Sequence, residues 1–421
     1  MMATTSGVLL AVGFLWVRHV YLGIGQKIFV AGSSNEPTGL IESLLAEPLP
    51  ENLHFVQFPI AGFNNVDFTQ ANANAHLTTF FMTPALKNAA AERLHFLPMQ
   101  MRWVYSYLSQ GIDVALIQVA RDRDGQLRLG PNVDFVDAVL SNARVVLAEL
   151  NTGFTAPAGA PLIDPARLDH VFESERELFA PAPPSIDEAA LQIGANVAGL
   201  IKDGDVLQTG IGAIPAAILS QLGDKNDLGM HGGLIDDGGM QLIRNGNLNG
   251  RNKTLDKNKH ITGMALGSKA LLTWLADTPD VVFCGANHTH EASAIAQLDN
   301  FVSVNSAVEI DLLGQVNAEY AGGRQISGTG GSVDFMRAAK ASRGGRSIVA
   351  MNATARGGSV SRIVPRVELV TALRTDVDIV VTEFGVAHLK NLPAAARVEA
   401  LIEIAAPQFR DALRQGELHN A

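Results

Sequence analysis

The sequence predicts an α/β protein in two similar halves, each an open, mostly parallel sheet with helices on both faces. Three observations carry this. Strand-like apolar runs alternate with helix-like ones along the chain, the rhythm of βαβ units. Apolar residues make up 47% of the chain and charged ones only 18%, which suits strands buried on both faces. The same unit also opens both halves. Gly32 precedes Pro37, with Leu40, Ile41 and Leu44 beyond it; Gly210 precedes Pro215, with Ile218, Leu219 and Leu222 at the same offsets. A recurring strand–glycine turn–helix unit points to duplication.

The elements follow in order. Residues 26–37 read as a strand and then a glycine turn, with a helix after Pro37, and 53–58 as the next strand. Residues 64–87, polar with Ala-Asn repeats, read as a loop able to line a cleft. A short strand at 95–98, a helix at 103–108, a doubly buried strand at 113–120 and a turn at 122–125 come next. A helix at 135–143 and a strand at 144–150 end the first half. Residues 151–185, densest in proline at 180–184, form the boundary, which gives domains 1–183 and 184–421. The second half begins with an amphipathic helix at 186–201. Strands follow at 205–208, 228–231, 261–265, 281–284, 301–305 and 308–312, with a helix at 269–275. A glycine loop at 327–335 enters a helix, a strand runs from Arg346, and 377–385 closes the sheet. Two helices occupy 394–413.

Composition excludes several classes. The net charge of −10, without a basic run, argues against a nucleic-acid surface. The single cysteine, Cys284, rules out an internal disulfide framework and a cysteine metal cluster, and makes the cytoplasm the default compartment. The apolar run at 7–17 lacks a preceding basic residue and a clear cleavage site, and it is shorter than the ~20 residues that span a bilayer. It reads as a first strand, a helix edge or an extension outside the fold.

Chemistry centres on Leu207-Gln-Thr-Gly-Ile-Gly-Ala-Ile-Pro215. Gly210 and Gly212 allow a tight turn and a close approach of backbone to ligand, and a helix N-terminus after such a turn offers free N–H groups to an anion. An ordinary strand-to-helix turn has the same appearance.

With Leu228-Gly-Met-His231, 299–306, 309–317, 325–335, 361–365, 381–389 and 405–410, this segment resembles the acetyl-CoA hydrolase/transferase family. It stands near the 4-hydroxybutyrate CoA-transferase branch of the class I CoA-transferases, of the NagB/RpiA/CoA-transferase-like fold. The likeness runs from about Lys27 onward. It implies two similar open α/β domains with the active site between them, acyl-CoA as substrate, a carboxylate acceptor, no permanently bound cofactor and a homodimer. The family's chemistry implies a nucleophilic glutamate that passes through an acyl anhydride and a glutamyl-CoA thioester. Its local pattern is approximately His-(Ser/Thr)-Glu-Met. Here the segment reads His231-Gly232-Gly233-Leu234, so Gly233 stands at the nucleophile's position without a side chain to attack. By the same resemblance Gly210, Ile211, Gly212, Ala213 and Ile214 lie along CoA, and Gly330 and Gly331 lie near the thioester, where N–H groups can hold an oxyanion. Asn305 and Glu383 border the reacting centre. Arg343 and Arg346 supply countercharge to CoA phosphates.

Several residues have two readings. Asp236 and Asp237 form an acid/base pair or, more plainly, an Asp-Asp-Gly helix cap. His231 is a base or a satisfied strand-end histidine. Glu383 replaces the lost carboxylate or orients a partner. Glu309 and Asp311 alternate on a strand facing polar neighbours. Cys284 is a core residue. His288 and His290 suggest a metal pair, but no third ligand is at hand, and the expectation is no metal. The first functional reading is a CoA-transferase or acyl-CoA hydrolase that does not use the glutamyl-CoA route. The others are a non-catalytic acyl-CoA-binding homologue and another thioester reaction, condensation or cyclisation, on the same site.

Overall fold

The structure is a computed structural model, and it describes residues 21–416. The apolar run at 7–17 lies outside the described residues. The chain divides into two compact units. Among the described residues, one takes 21–99, Trp103–Phe179 and Leu272–Pro279; the other takes Gln100–Arg102, Ala180–Leu271 and 280–416.

The first unit is built on an eight-stranded sheet. Its path runs Leu94–Phe96, His76–Thr79, His54–Gln57, Lys27–Val30, Val114–Arg121, Val145–Asn151, His170–Ser174, all parallel. Leu127–Leu129 joins Val114–Arg121 antiparallel. Register is set by the apolar pattern: Ile28 pairs with Phe55 on one side and Val114 on the other, and all three are buried. Helix Thr38–Leu45 presents Leu40, Ile41 and Leu44 to this core, at the offsets from Pro37 read in the sequence. The order reverses between Lys27–Val30 and Val114–Arg121, where Asn35 and Gln118 exchange side-chain and backbone hydrogen bonds and Asn151 donates to Gln118 Oε1 at 3.0 Å. These buried amides satisfy one another and plug the carboxyl end of the sheet.

The second unit carries a six-stranded sheet in the order Gly229–Met230, Val206–Gln208, Phe301–Asn305, Arg346–Ala350, Ile379–Thr382, Gly385–His388. The first five are parallel, and the last turns back antiparallel. Helices Glu188–Ala198 and Ser332–Ala341 pack on it, and helix Ala213–Ser220 packs against Glu188–Ala198. Small pairs flank it, Leu234–Ile235 with Met264–Ala265 and His260–Thr262 with Val281–Phe283.

Three expectations need correction. Residues 64–87 are not all loop: His76–Thr79 is an inner strand of the first sheet, and its Thr78 and Thr79 are buried despite their polarity. The boundary region 151–185 contains the edge strand His170–Ser174. Ile379–Thr382 does not close the second sheet, because the hairpin strand Gly385–His388 lies outside it.

Candidate active site

The second sheet reverses its order between Val206–Gln208 and Phe301–Asn305, since Gly229–Met230 lies to one side and Arg346–Ala350 to the other. Open α/β sheets bind ligands outside the carboxyl ends of their strands at such a switch point. Two amide side chains meet there: Asn305 Nδ2 donates to Gln208 Oε1 at 3.2 Å. Gln208 was not singled out from sequence, where it is one polar residue ending a short strand; its pairing exists only across the sheet.

Beyond Gln208 the glycine turn opens. Gly212 has φ 114° and ψ −173°, a backbone open essentially to glycine alone, and it precedes helix Ala213–Ser220. No side chain caps this helix, which leaves its first N–H groups free for an anion. A Cβ on Gly210 or Gly212 would meet nothing within 4 Å, and Ile211 is 56% exposed. The turn is therefore an open surface, with Ala213 and Ile214 starting the helix behind it.

Gly233 and Gly331 both face the ring of His290. A Cβ on Gly233 would stand 2.9 Å from His290 Cε1 and 3.0 Å from Nε2. One on Gly331 would stand 2.9 Å from Phe335 and closer still to the His290 ring. Contacts this short force a buried ring to move, so the two glycines are the room that His290 needs. The ring is buried, with its centroid 4.5 Å from that of Phe335. Thr289 Oγ1 donates to Gly285 O at 3.2 Å and lies 2.8 Å from His290 Nδ1. With its one proton spent on Gly285, Thr289 accepts from Nδ1–H, and Nε2 is left with a free lone pair on the Gly233 side. Burial pushes the imidazole pKa down to about 3, which keeps it neutral. Gly330, at φ 55°, precedes Gly331, the N-cap of helix Ser332–Ala341.

The other expected residues divide. Asp236 caps helix Asp237–Arg244 by accepting from Gly239 N at 2.9 Å, and burial raises its pKa. It lines a small recess with Gln208, Thr209 and Gly232. Asp237 accepts from Ser268 N at 2.9 Å and from the Ser268 hydroxyl. Asp236 follows the capping reading, whereas Asp237 lies inside the helix and ties it to Ser268. Glu383 directly follows strand Ile379–Thr382, and its Oε2 accepts from Ala353 N at 2.8 Å. Arg343 and Arg346 are not brought to the glycine turn. Arg346 pairs in register with Val302, and so stands at the opposite, amino end of the sheet from Asn305. It is bound by Asp205 and by Leu200 O, and Arg343 is bound by Asp299. These ion pairs, remote from the carboxyl ends, account for both arginines.

His288 and His290 do not pair. His290 turns to the glycines, whereas His288 Nε2 lies 2.8 Å from Asp256 Oδ2. His231 Nδ1 lies 3.9 Å from the same oxygen. The donor atoms of His231, Asp256 and His288 fall within 4.8 Å of one another, a three-residue group that could hold a metal ion. Neither partner of His288 was visible in sequence, because His231 and Asp256 lie 57 and 32 residues away along the chain. Burial, then the Lys253 charge, holds His231 well below the usual imidazole range. Lys253 itself is lowered by burial to about 8, and its Nζ donates to Met230 O at 3.1 Å and Lys259 O at 2.8 Å. Burial pushes the Cys284 thiol up to about 11, which excludes a reactive thiolate.

Comparison with known proteins adds to this geometry. Residues 20–180 match the acetyl-CoA hydrolase/transferase N-terminal domain, and residues 267–416 match the acetyl-CoA hydrolase/transferase C-terminal domain. The chain is 41% identical over 306 residues to 4-hydroxybutyrate coenzyme A transferase of Clostridium kluyveri, covering 72% of this chain and 71% of that one. Among solved structures it resembles RipA from Yersinia pestis, with TM-score 0.88, 30% identity, and 95% and 94% of the two chains covered. It also resembles 4-hydroxybutyrate CoA-transferase from Porphyromonas gingivalis, with TM-score 0.78, 33% identity, and 94% of each chain covered.

Proposed function

The chain belongs to the acetyl-CoA hydrolase/transferase family and is an enzyme of acyl-CoA thioester chemistry, and from that premise we propose that it cleaves acyl-CoA without forming a glutamyl-CoA intermediate. The observation that carries the proposal is Gly233, whose missing side chain is replaced in space by the ring of His290. A carboxylate nucleophile has no room there. In this reading water attacks the thioester carbonyl, and a carboxylate acceptor taking the place of water gives direct transfer. The uncapped turn at 210–214 binds CoA, and the N–H groups about Gly330 and Gly331 receive the oxyanion. Asn305, paired with Gln208, orients the acyl group, and Glu383 borders it. Asp236 and Asp237 are assigned to scaffolding, since the first is occupied as a helix cap and the second by Ser268. The 4-hydroxybutyrate named in two relatives supports a short acyl chain. No helix among the described residues is long and apolar enough to cross a membrane. We place the enzyme in the cytoplasm as a homodimer, the assembly to be checked by light scattering.

The test is a panel of acyl-CoA thioesters incubated with a thiol reagent, with and without acetate. Free CoA released without acceptor is the expected result. Exchange that requires acceptor and follows ping-pong kinetics would overturn the proposal. Tight binding with neither reaction would mark a binding protein instead.

A further inference from the structure

We propose that His231 Nδ1, Asp256 Oδ2 and His288 Nε2 form a binding site for one divalent transition cation of the zinc class. The proposal is independent of the thioester reading. Strand geometry and loop placement bring the three together. His231 directly follows strand Gly229–Met230 and bridges to Ile261, His288 lies in the short helix Ala286–Thr289, and Asp256 lies on the intervening loop.

The decisive feature is the state of His231. Its side chain is fully buried, and Nδ1 has no hydrogen-bond partner. Its other nitrogen, Nε2, lies 3.3 Å from His288 O, a carbonyl that can only accept. Nε2 therefore carries the proton, and Nδ1 presents a bare lone pair. That lone pair faces a carboxylate oxygen 3.9 Å away. A buried, unpartnered nitrogen lone pair facing a carboxylate oxygen, itself partly exposed, is unfavourable unless a cation lies between them. An imidazole whose second nitrogen donates to a backbone carbonyl is the usual orientation of a metal-bound histidine.

The spacing agrees. Donors ~2.1 Å from a tetrahedral zinc-class ion stand about 3.4 Å apart, and the observed 2.8 Å and 3.9 Å bracket that value. Two imidazoles and one carboxylate favour zinc, cobalt or nickel over magnesium or calcium, which prefer all-oxygen sets. His288 and Asp256 are partly exposed, at 32% and 25% of their side chains, which leaves an entry path and an open coordination position. Lys253 is the nearby cation, but its ammonium is directed at the carbonyls of Met230 and Lys259.

The test uses the full chain after treatment with a chelator and dialysis. Zn²⁺ binding is measured by calorimetry, and Co²⁺ is followed by its visible ligand-field absorption. One ion per chain is expected, with the absorption of a low-coordinate cobalt site. His288→Ala and Asp256→Asn should each weaken binding at least ~10–100-fold. Both residues are partly exposed, and Asn tolerates the left-handed backbone of Asp256 (φ 52°), so both variants keep the fold, to be checked by circular dichroism. The other histidine group, His54, His76 and His95 on adjacent strands of the first sheet, is the rival, and His95→Ala should leave binding unchanged. No saturable binding, binding that survives both substitutions, or binding lost in His95→Ala would each overturn the proposal.

Discussion

At the scale of single residues, the account turns on the space between Gly233 and His290. Gly233→Glu alone puts a Cβ 2.9 Å from a buried ring, and overpacking of this kind costs about 1–3 kcal/mol. The expected outcome is a lowered Tm and no ping-pong transferase activity. Shortening the ring in Gly233→Glu/His290→Ala should recover much of the lost Tm, because the clash and not the charge is then the cause. Equal Tm losses in single and double variants would contradict this. The glycine at position 233 was legible in the sequence, because a residue in a motif needs no fold to be noticed. What fills its place was not. His290 is 57 residues from Gly233, and its sequence neighbour His288 suggested a metal pair instead. Asp236 was legible as a cap from the Asp-Asp-Gly order alone, but the partner of Asp237, Ser268, is 31 residues away and was not.

At the scale of elements, the turn at 210–214 is the part of the candidate site best read in advance. Its two glycines differ in a way that only the backbone reveals. Gly212 holds φ 114°, whereas Gly210 is not at positive φ and has open space around a Cβ. Gly212→Ala should cost about 1–3 kcal/mol of strain and raise KM for acyl-CoA, with Gly210→Ala leaving Tm near that of the parent. Thermal unfolding and steady-state kinetics check both, and equal tolerance at the two positions would count against the assigned conformation. The apolar offsets after Pro37 and Pro215 identified both helices correctly, because periodic burial is a local property. Strands His76–Thr79 and His170–Ser174 escaped notice for the opposite reason. Their residues are polar or alternate weakly, and pairing with neighbours, not hydrophobicity, makes them strands. The ion pairs of Arg343 with Asp299 and Arg346 with Asp205 were not legible, because each partner lies far along the chain.

At the scale of the whole molecule, buried carboxyls set the response to pH. Asp134 is fully buried, its Oδ1 has no partner, and burial raises its pKa to about 8. The folded protein thus binds a proton there that the unfolded chain releases near the ordinary value of 3.8. Stability from this group is fully present below about pH 4 and is lost as pH rises to about 8. Glu36 and Asp334, both raised by burial to about 7, act with the same sign. Asp134→Asn should therefore flatten the fall in Tm between pH 5 and about pH 8, and parallel Tm curves for variant and parent would contradict the assignment. The α/β class and the alternation of elements were legible at this scale, since composition and rhythm report on the whole chain. The exchange of short segments between the two units, 100–102 and 272–279, left no mark in the sequence.

The most direct measurement of the central claim is a single turnover of acyl-CoA in ¹⁸O-labelled water, with product acid and intact protein both weighed by mass spectrometry. Direct attack by water predicts ¹⁸O in the acid from the first turnover and an enzyme of unchanged mass. Unlabelled acid, with CoA or ¹⁸O found on the protein, would contradict it, because only a carboxylate of the enzyme could then have opened the thioester.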